Sequence, residues 1–262
     1  MAKMKILIAM PIYKRELLAL NSIRSIIELT EIDKTFDVTM ALGINEMDDM
    51  LDSFLSNYKP KTDIKLNIHK FEKNLGKGIA VNKLASLYDF DYIISIDSDM
   101  ICTDKEWLKK MVFIYLKYNS NPARNRSDNS PRLMGSLCSN QSGLNCHAIP
   151  VNSPNRIELK IDNRFTIISH KAGSGVAGGV LMSDKTTWNL IGGYNGSKVY
   201  AADDGHYHGD CQAKNRVVAY VNEVSFYHPY EFKDDYRVWK DKIVAEKEIF
   251  VPYKTEQIKE RP

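Results

Sequence analysis

The first apolar run, "KILIAM" at 5–10, has no polar break after its lysine, the mark of a strand buried on both faces. Residues 16–30, "ELLALNSIRSIIELT", place their apolar side chains at helical spacing instead. The two patterns then alternate. "FDVTMALGI" (36–44) reads as a strand, "MDDMLDSFLSNY" (47–58) as a helix and "DIKLNIHKF" (63–71) as a strand. "KGIAVNKLASLY" (77–88) reads as a third helix and "DYIISI" (91–96) as a fourth strand. Such alternation predicts an α/β fold, a doubly wound, mostly parallel sheet flanked by helices. Ligands of these sheets bind beyond the carboxyl ends of the strands.

The pattern loosens after residue 100. "DKEWLKKMVFIYLKY" (104–118) predicts a helix capped near Thr103 or Asp104. Residues 119–132 are polar, proline-bearing and aperiodic, which predicts a loop. Strands are expected at 133–138, 157–161 and 165–169, and at the end of the glycine-rich "AGSGVAGGVLMS" (172–183). A short helix (184–191), a loop (192–205), a helix (206–215) and a strand (216–221) follow, and "VSFYHPY" (224–230) closes the core. A charged amphipathic helix and tail complete the chain. With no internal repeat and no low-complexity linker, residues 1–262 are expected to form a single domain.

Composition is that of an ordinary globular protein, 44% hydrophobic and 26% charged, with a net charge of +3. The mild basic excess suits an anionic ligand such as a nucleotide and does not demand nucleic acid. Cys102, Cys138, Cys146 and Cys211 form no CxxC pair and no zinc spacing, so free thiols in a reducing cytosol are expected. No apolar stretch approaches the ~18–20 residues of a membrane span. The short N-terminal run fits a first strand better than a signal peptide. A cytoplasmic, soluble protein is the expectation.

Four stretches carry chemistry. Asp97 and Asp99 end the strand 91–96 one residue apart, with Ser98 between them. Such a pair holds a hard divalent cation, and it equally makes a turn; taken alone the polar turn is the better reading. "NLGKGIAVN" (74–82) is neither a Walker A loop nor GxGxxG, and serves equally as a helix entry or an anion contact. In "YAADDGHYHGDC" (200–211), Asp203 and Asp204 open a helix. There they are good first-turn acids or a general base aimed at a substrate. His206 and His208, two apart on a helix, point to different faces and are not joint metal ligands. His228, before Pro229, reads by itself as a structural histidine near the core.

Taken in order, these stretches resemble the GT-A nucleotide-sugar glycosyltransferases, and within them the inverting family 2. "IAMPIYKRE" is similar to that family's opening strand and Pro-x-Tyr-Asn-Arg loop, with Lys14 where Asn is usual. "NLGKGIAVN" resembles its Asn-x-Gly…Ala-x-Asn segment, and "ISIDSDM" its Asp-x-Asp motif. "IGGY…AADDG" resembles its Gly-Gly-Phe loop and acidic pair, and His228 stands at its late metal-binding histidine. The resemblance covers about residues 4 to 230. It implies a nucleotide-sugar-binding half at 1–100, an acceptor and catalytic half at 101–230, and a C-terminal helix and tail at 231–262.

The resemblance also implies roles. Asp99 and His228 would ligate Mn²⁺ or Mg²⁺, with Asp97 on the ribose or a metal-bound water. Pro11, Tyr13, Arg15, Asn45, Lys77, Asn82 and Ser98 would line the nucleotide-sugar pocket. Gly178, Gly179, Trp188, Gly193, Tyr194 and Asp203 would face the sugar and acceptor, with Trp188, Tyr194 and Tyr200 available for stacking, though Trp188 reads equally as core. Asp204 would be the base that deprotonates the acceptor hydroxyl.

Besides Lys14, the chain departs from the family pattern in three places. "GINEMDD" replaces the acidic cluster that reads the base, which leaves that work to Asn45 or Glu46; Asp203 replaces the usual Glu, and the basic residue after "GGVLMS" is missing. The expected donor is a UDP-sugar and the expected acceptor a glycan or other hydroxyl. DNA with hydroxymethylated bases is the alternative, through Arg124, Arg126, Arg132 and the tail's Lys242, Lys247, Lys254, Lys259 and Arg261. Those charges read equally as solvated faces. A nucleotidyltransferase is disfavoured because "MPIYKRELLA" has no glycine; a non-catalytic sugar-binding protein is the remaining rival.

Overall fold

The structure is a computed structural model describing residues 2–46, 49–60, 62–121, 132–142, 153–154, 156–170, 176–196, 203–229 and 238. The expectations for Arg124, Arg126, Cys146, Tyr200, Lys242, Lys247, Lys254, Lys259 and Arg261 lie outside these residues.

The first half follows the predicted alternation: β1 (Met4–Ile12), α1 (Glu16–Leu29), β2 (Phe36–Asn45), α2 (Asp49–Asn57), β3 (Lys65–Phe71), α3 (Gly76–Ser86) and β4 (Tyr92–Ile96). The second half continues with β5 (Ile101–Cys102), α4 (Trp107–Ser120), β6 (Met134–Ser142), β7 (Arg156–Ile161) and β8 (Phe165–His170). It ends with β9 (Val180–Asp184), α5 (Lys185–Ile191), α6 (Asp203–Ala213) and β10 (Val217–Tyr227). One sheet runs in the order β3-β2-β1-β4-β9-β6-β10-β8-β7, with β5 paired to β10.

Strand alternation puts core on both faces of this sheet. Ile6, Ile8 and Met10 of β1 pack with α1, α2 and α4 residues such as Ile23, Leu51 and Trp107. Leu7 and Ala9 point the other way, toward Leu84 of α3, Trp188 of α5 and Tyr207 of α6. Both faces are therefore covered by helices, as a doubly wound sheet requires.

The direction of the strands sets where chemistry can gather. β1 pairs in parallel with β2 and β4, and β2 in parallel with β3. β9 runs antiparallel to both β4 and β6, and β10 runs parallel to β6. The start of β9 thus lies at the same edge as the ends of β1, β4, β6 and β10.

Two boundaries differ from the sequence reading. Residues 216–221 and 224–230 are not two strands; most of both belongs to β10. Exposed Asn222 and half-buried Glu223 interrupt the apolar run because β10 bulges there, its pairing with β6 jumping from Val221 to Ser225. Helix α4 starts at Trp107, and Asp104 holds the preceding turn instead, accepting from the Glu106 amide (3.0 Å) and pairing with Lys110 (2.8 Å). Among the described residues, no helix is long and apolar enough to cross a membrane.

One expectation is corrected by packing. Trp188 and Tyr194 do not stand ready to stack on an acceptor, since they are 1% and 2% exposed. Trp188 lies edge-on to Tyr194 at 5.6 Å and 5.4 Å from Tyr207, forming an aromatic core beneath α5 and α6. The Gly192 turn (φ 87°) ends α5 and lets the chain reverse into this cluster. Trp188→Ala is therefore expected to cost about 3–5 kcal/mol of stability, read from urea unfolding midpoints, in place of a selective rise in acceptor KM.

Candidate active site

At the carboxyl edge of the sheet each acid of the Asp97–Asp99 turn has its own cation. The Asp97 amide donates to the Gly179 carbonyl (2.8 Å), and the Met100 amide closes the turn on the Asp97 carbonyl (3.1 Å). Turn and charge cluster are thus the same object. Asp97 Oδ1 lies 2.6 Å from Lys77 Nζ, and Asp99 Oδ2 lies 2.6 Å from Arg15 Nη1. His228 Nε2 approaches the same Asp99 oxygen at 3.5 Å.

Local backbone geometry delivers these cations. Lys14 and Arg15 both adopt left-handed φ (55° and 58°), which turns the chain sharply from β1 into α1. For non-glycine residues this costs roughly 1–3 kcal/mol each and is tolerated where surrounding structure imposes it. Lys77 comes from the first turn of α3, whose opening residue Gly76 has φ 74°. That entry is held by Asn74 Oδ1, accepting from the Gly76 amide (2.9 Å), and by Asn45 Oδ1, accepting from the Leu75 amide (3.0 Å).

Lys77 is the hub. Besides Asp97 it reaches the Gly178 carbonyl at 3.3 Å, and its ammonium sits 5.8 Å from the Tyr194 ring. Asp203 and Asp204 open α6 beside it. Burial weakens the charge of Lys77, but Asp97, Tyr194 and Asp204 outweigh it and hold the ammonium well above its ordinary pKa. Burial also pushes Asp204 up; Lys77, His208 and the Gly178 amide together prevail and keep it below the usual range. Asp203 has Lys77 and the Gly78 amide as well, but they do not prevail. Burial, with repulsion from Asp204 and Asp97, pushes it to about 7 against the pull of Lys77. The two neighbouring acids are thereby separated: Asp204 is ionised at neutral pH while Asp203 retains much of its proton.

Asp99 is lowered as well: burial opposes, and His228 and Arg15 win. Asp97 is raised, its burial and the neighbouring Asp99 outweighing Lys77.

The glycines at 178 and 179 make room instead of contacting a sugar through their side-chain faces. A Cβ on Gly178 would lie 2.3 Å from Asp204 Cβ. One on Gly179 would lie 2.6 Å from Gln141 Nε2 and 2.8 Å from Met100 Sδ. Gly178 also donates its amide to Asp204 Oδ2 (2.9 Å), fixing that carboxylate.

Other expected contacts prove structural. Asn45 is 2% exposed and committed to the α3 entry, so it does not read a base. Asn82 Nδ2 donates to the Tyr194 carbonyl (2.8 Å) and Asn82 Oδ1 accepts from the Tyr194 amide (2.9 Å), which pins the Gly193 turn. Pro11 is buried within β1 opposite Gly43, and Asp203 is 2% exposed against Gly78, so neither offers a surface to a ligand. Tyr13, Arg15, Lys77, Asp97, Ser98, Asp99, Asp204 and His228 remain at the edge, all partly exposed. His206 is exposed and His208 buried on Ser136 (3.1 Å), which keeps them apart as expected. One residue the sequence did not mark, Gln141 at the end of β6, contacts His228 Nδ1 through Oε1 at 3.3 Å.

The donor set was tested against a divalent cation. Among the described residues no cluster of three or more His, Cys, Asp or Glu could hold a metal. Asp99 Oδ2 and His228 Nε2 nevertheless converge. A carboxylate and an imidazole suffice for a cation that takes its remaining ligands from phosphate and water, the habit of Mg²⁺ with nucleotides. The residues fit that kind of site and do not form an all-protein cage.

Two outcomes follow. Gly178→Ala must displace Asp204 and is expected to slow turnover by on the order of 10²-fold with nucleotide affinity retained, as steady-state kinetics and calorimetry would read. For Asp203, whose folded pKa is raised, the native state binds the extra proton between the unfolded value near 4 and about 7. Its stabilisation is full below that window and is lost as pH rises through it, by about 1.4 kcal/mol per pH unit. Thermal midpoints of Asp203→Asn should therefore lack the decline that the native chain shows from pH 5 to 7; parallel curves would contradict the assignment.

Residues 7–120 match the family model for Glycosyl transferase family 2. The comparison with curated proteins gave no match. Among solved structures the chain is similar to S. aureus TarS 1-349, with a TM-score of 0.61 and 14% identity over 86% of this chain and 60% of that one. It is similar to the mannosyltransferase PcManGT from Pyrobaculum calidifontis in complex with GDP-Man and Mn²⁺, with a TM-score of 0.62 and 14% identity over 91% of this chain and 60% of that one. TarS 1-349 is also known in complex with UDP-GlcNAc. The chain thus spans about 60% of the length of these neighbours. Their likeness establishes the GT-A fold.

Proposed function

We propose that this chain, whose residues 7–120 match the family model for Glycosyl transferase family 2 and whose fold is GT-A, moves a sugar from a nucleoside-diphosphate donor to an acceptor hydroxyl with inversion. The observation that carries the reading is the charge separation at the sheet edge. An ionised Asp204 stands beside Lys77, and Arg15 holds Asp99 on the other side of the Asp97–Asp99 turn, so one sheet edge carries a base and two cations that suit a diphosphate. Residues 1–100 hold the donor and residues 101–230 supply the base and the acceptor side.

Asp204 is placed by the Gly178 amide and kept anionic, so it takes the acceptor proton as the new bond forms. Lys77 and Arg15, released from Asp97 and Asp99, bind the charge that develops on the departing diphosphate. Asp99 and His228 would hold a divalent cation, with Asp97 on the ribose or a water, and that cation would supply Lewis-acid neutralisation of the leaving group. A UDP-sugar is the proposed donor, supported by the UDP-GlcNAc complex of TarS, and a glycan hydroxyl the proposed acceptor.

Asp204→Asn is expected to lose about 10²–10⁴-fold in turnover while still binding the donor. A thermal-shift panel of nucleotide sugars, with and without Mn²⁺, tests the reading as a whole. One donor should raise the midpoint only when the cation is present, by about 2.7 kcal/mol of apparent stability at a hundredfold excess over Kd. No shift with any nucleotide sugar would overturn it.

A further inference from the structure

The His228 ring stands between Asp99 and the end of β6. His228 follows β10, and its amide donates to the Ser142 carbonyl (2.9 Å), so its backbone is registered on the end of β6. The neighbouring β6 residue, Gln141, is 8% exposed and places Oε1 3.3 Å from His228 Nδ1. An imidazole whose Nδ1–H is held by an acceptor presents Nε2 as its ligating atom, and that is the nitrogen 3.5 Å from Asp99 Oδ2. The amide end of Gln141 is buried without a hydrogen-bond partner among the described residues, at the place where a Cβ on Gly179 would come within 2.6 Å. An uncompensated buried amide costs stability, so packing alone gives no reason for a glutamine here. Its contact with the histidine does.

We infer that Gln141 is a positioning residue of the metal site: it orients His228 through Nδ1 so that Nε2 and Asp99 face one cation. Gly179 belongs to the same device, because its bare Cα is what lets the Gln141 side chain lie between β6 and the start of β9. The inference rests on the metal-dependent reading above and extends it to residues outside the acid motif and the late histidine. Outer partners of this kind are worth about 10–100-fold in metal affinity.

The test is Mn²⁺ affinity by electron paramagnetic resonance in the presence of UDP, on the full chain. Gln141→Met keeps the length of the side chain and removes the acceptor; Gln141→Glu keeps an acceptor. The expected result is a 10–100-fold weaker Mn²⁺ affinity for Gln141→Met, near-native affinity for Gln141→Glu, and a loss at least as large for His228→Ala. Thermal midpoints of Gln141→Met should stay near native or rise, which separates orientation from stability. Native affinity in Gln141→Met, beside a clear loss in His228→Ala, would overturn the role of Gln141 and leave the metal site standing. Weak binding in both Gln141 variants would also overturn it, since the acceptor would not be what matters. If the native chain captures no Mn²⁺ with UDP, or His228→Ala binds as the native chain does, the metal reading fails and the role of Gln141 falls with it.

Discussion

The ammonium of Lys77 is the one positive charge shared by three acids, Asp97, Asp203 and Asp204, at the edge of the sheet. Three carboxylates crowded around one cation cannot all ionise without a penalty. The arrangement resolves this by inequality. Asp97 takes the direct 2.6 Å contact, Asp204 takes the Gly178 amide, and Asp203, whose burial outweighs Lys77 and the Gly78 amide, keeps its proton up to about 7. Arg15 performs the same service for Asp99 on the other side of the turn. The site is thus neutralised by its own side chains before any ligand arrives, and a bound diphosphate can exchange partners with it instead of entering an uncompensated field.

That balance depends on backbone that only certain residues tolerate. Gly178 and Gly179 let α6 and β6 approach within contact of the β9 entry, and Gly76 admits the left-handed turn that sends Lys77 inward. Lys14 and Arg15 adopt the same region without being glycine, and the strain coincides with the residue that pairs with Asp99. The reversal of β9 relative to β4 does the rest, because an antiparallel β9 begins where β4 ends.

Much of this was legible in the chain. The alternation of buried strand and amphipathic helix through residue 96 gave the doubly wound half almost element for element, because periodicity reports burial directly. The acids and the late histidine were visible as a series. What the sequence could not display was commitment: Asn45, Asn82, Trp188 and Tyr194 have the chemistry of ligand contacts, yet Asn45 holds the α3 entry, Asn82 and Tyr194 hold each other across 112 residues, and Trp188 is buried among Tyr194 and Tyr207. Gln141 was missed for the mirror-image reason. Its partner His228 lies 87 residues away, and no local pattern distinguishes it from any polar strand end. The bulge at Asn222 and Glu223 misled in turn, since a polar pair inside an apolar run reads as a break and not as a strand that keeps going.

The most direct measurement is an anomalous difference map from crystals of this chain grown with Mn²⁺ and a nucleoside diphosphate. The account expects one strong peak bounded by Asp99 and His228, with the diphosphate between it and the side chains of Arg15 and Lys77. A manganese peak or a nucleotide located away from the carboxyl edge of β4 would contradict it.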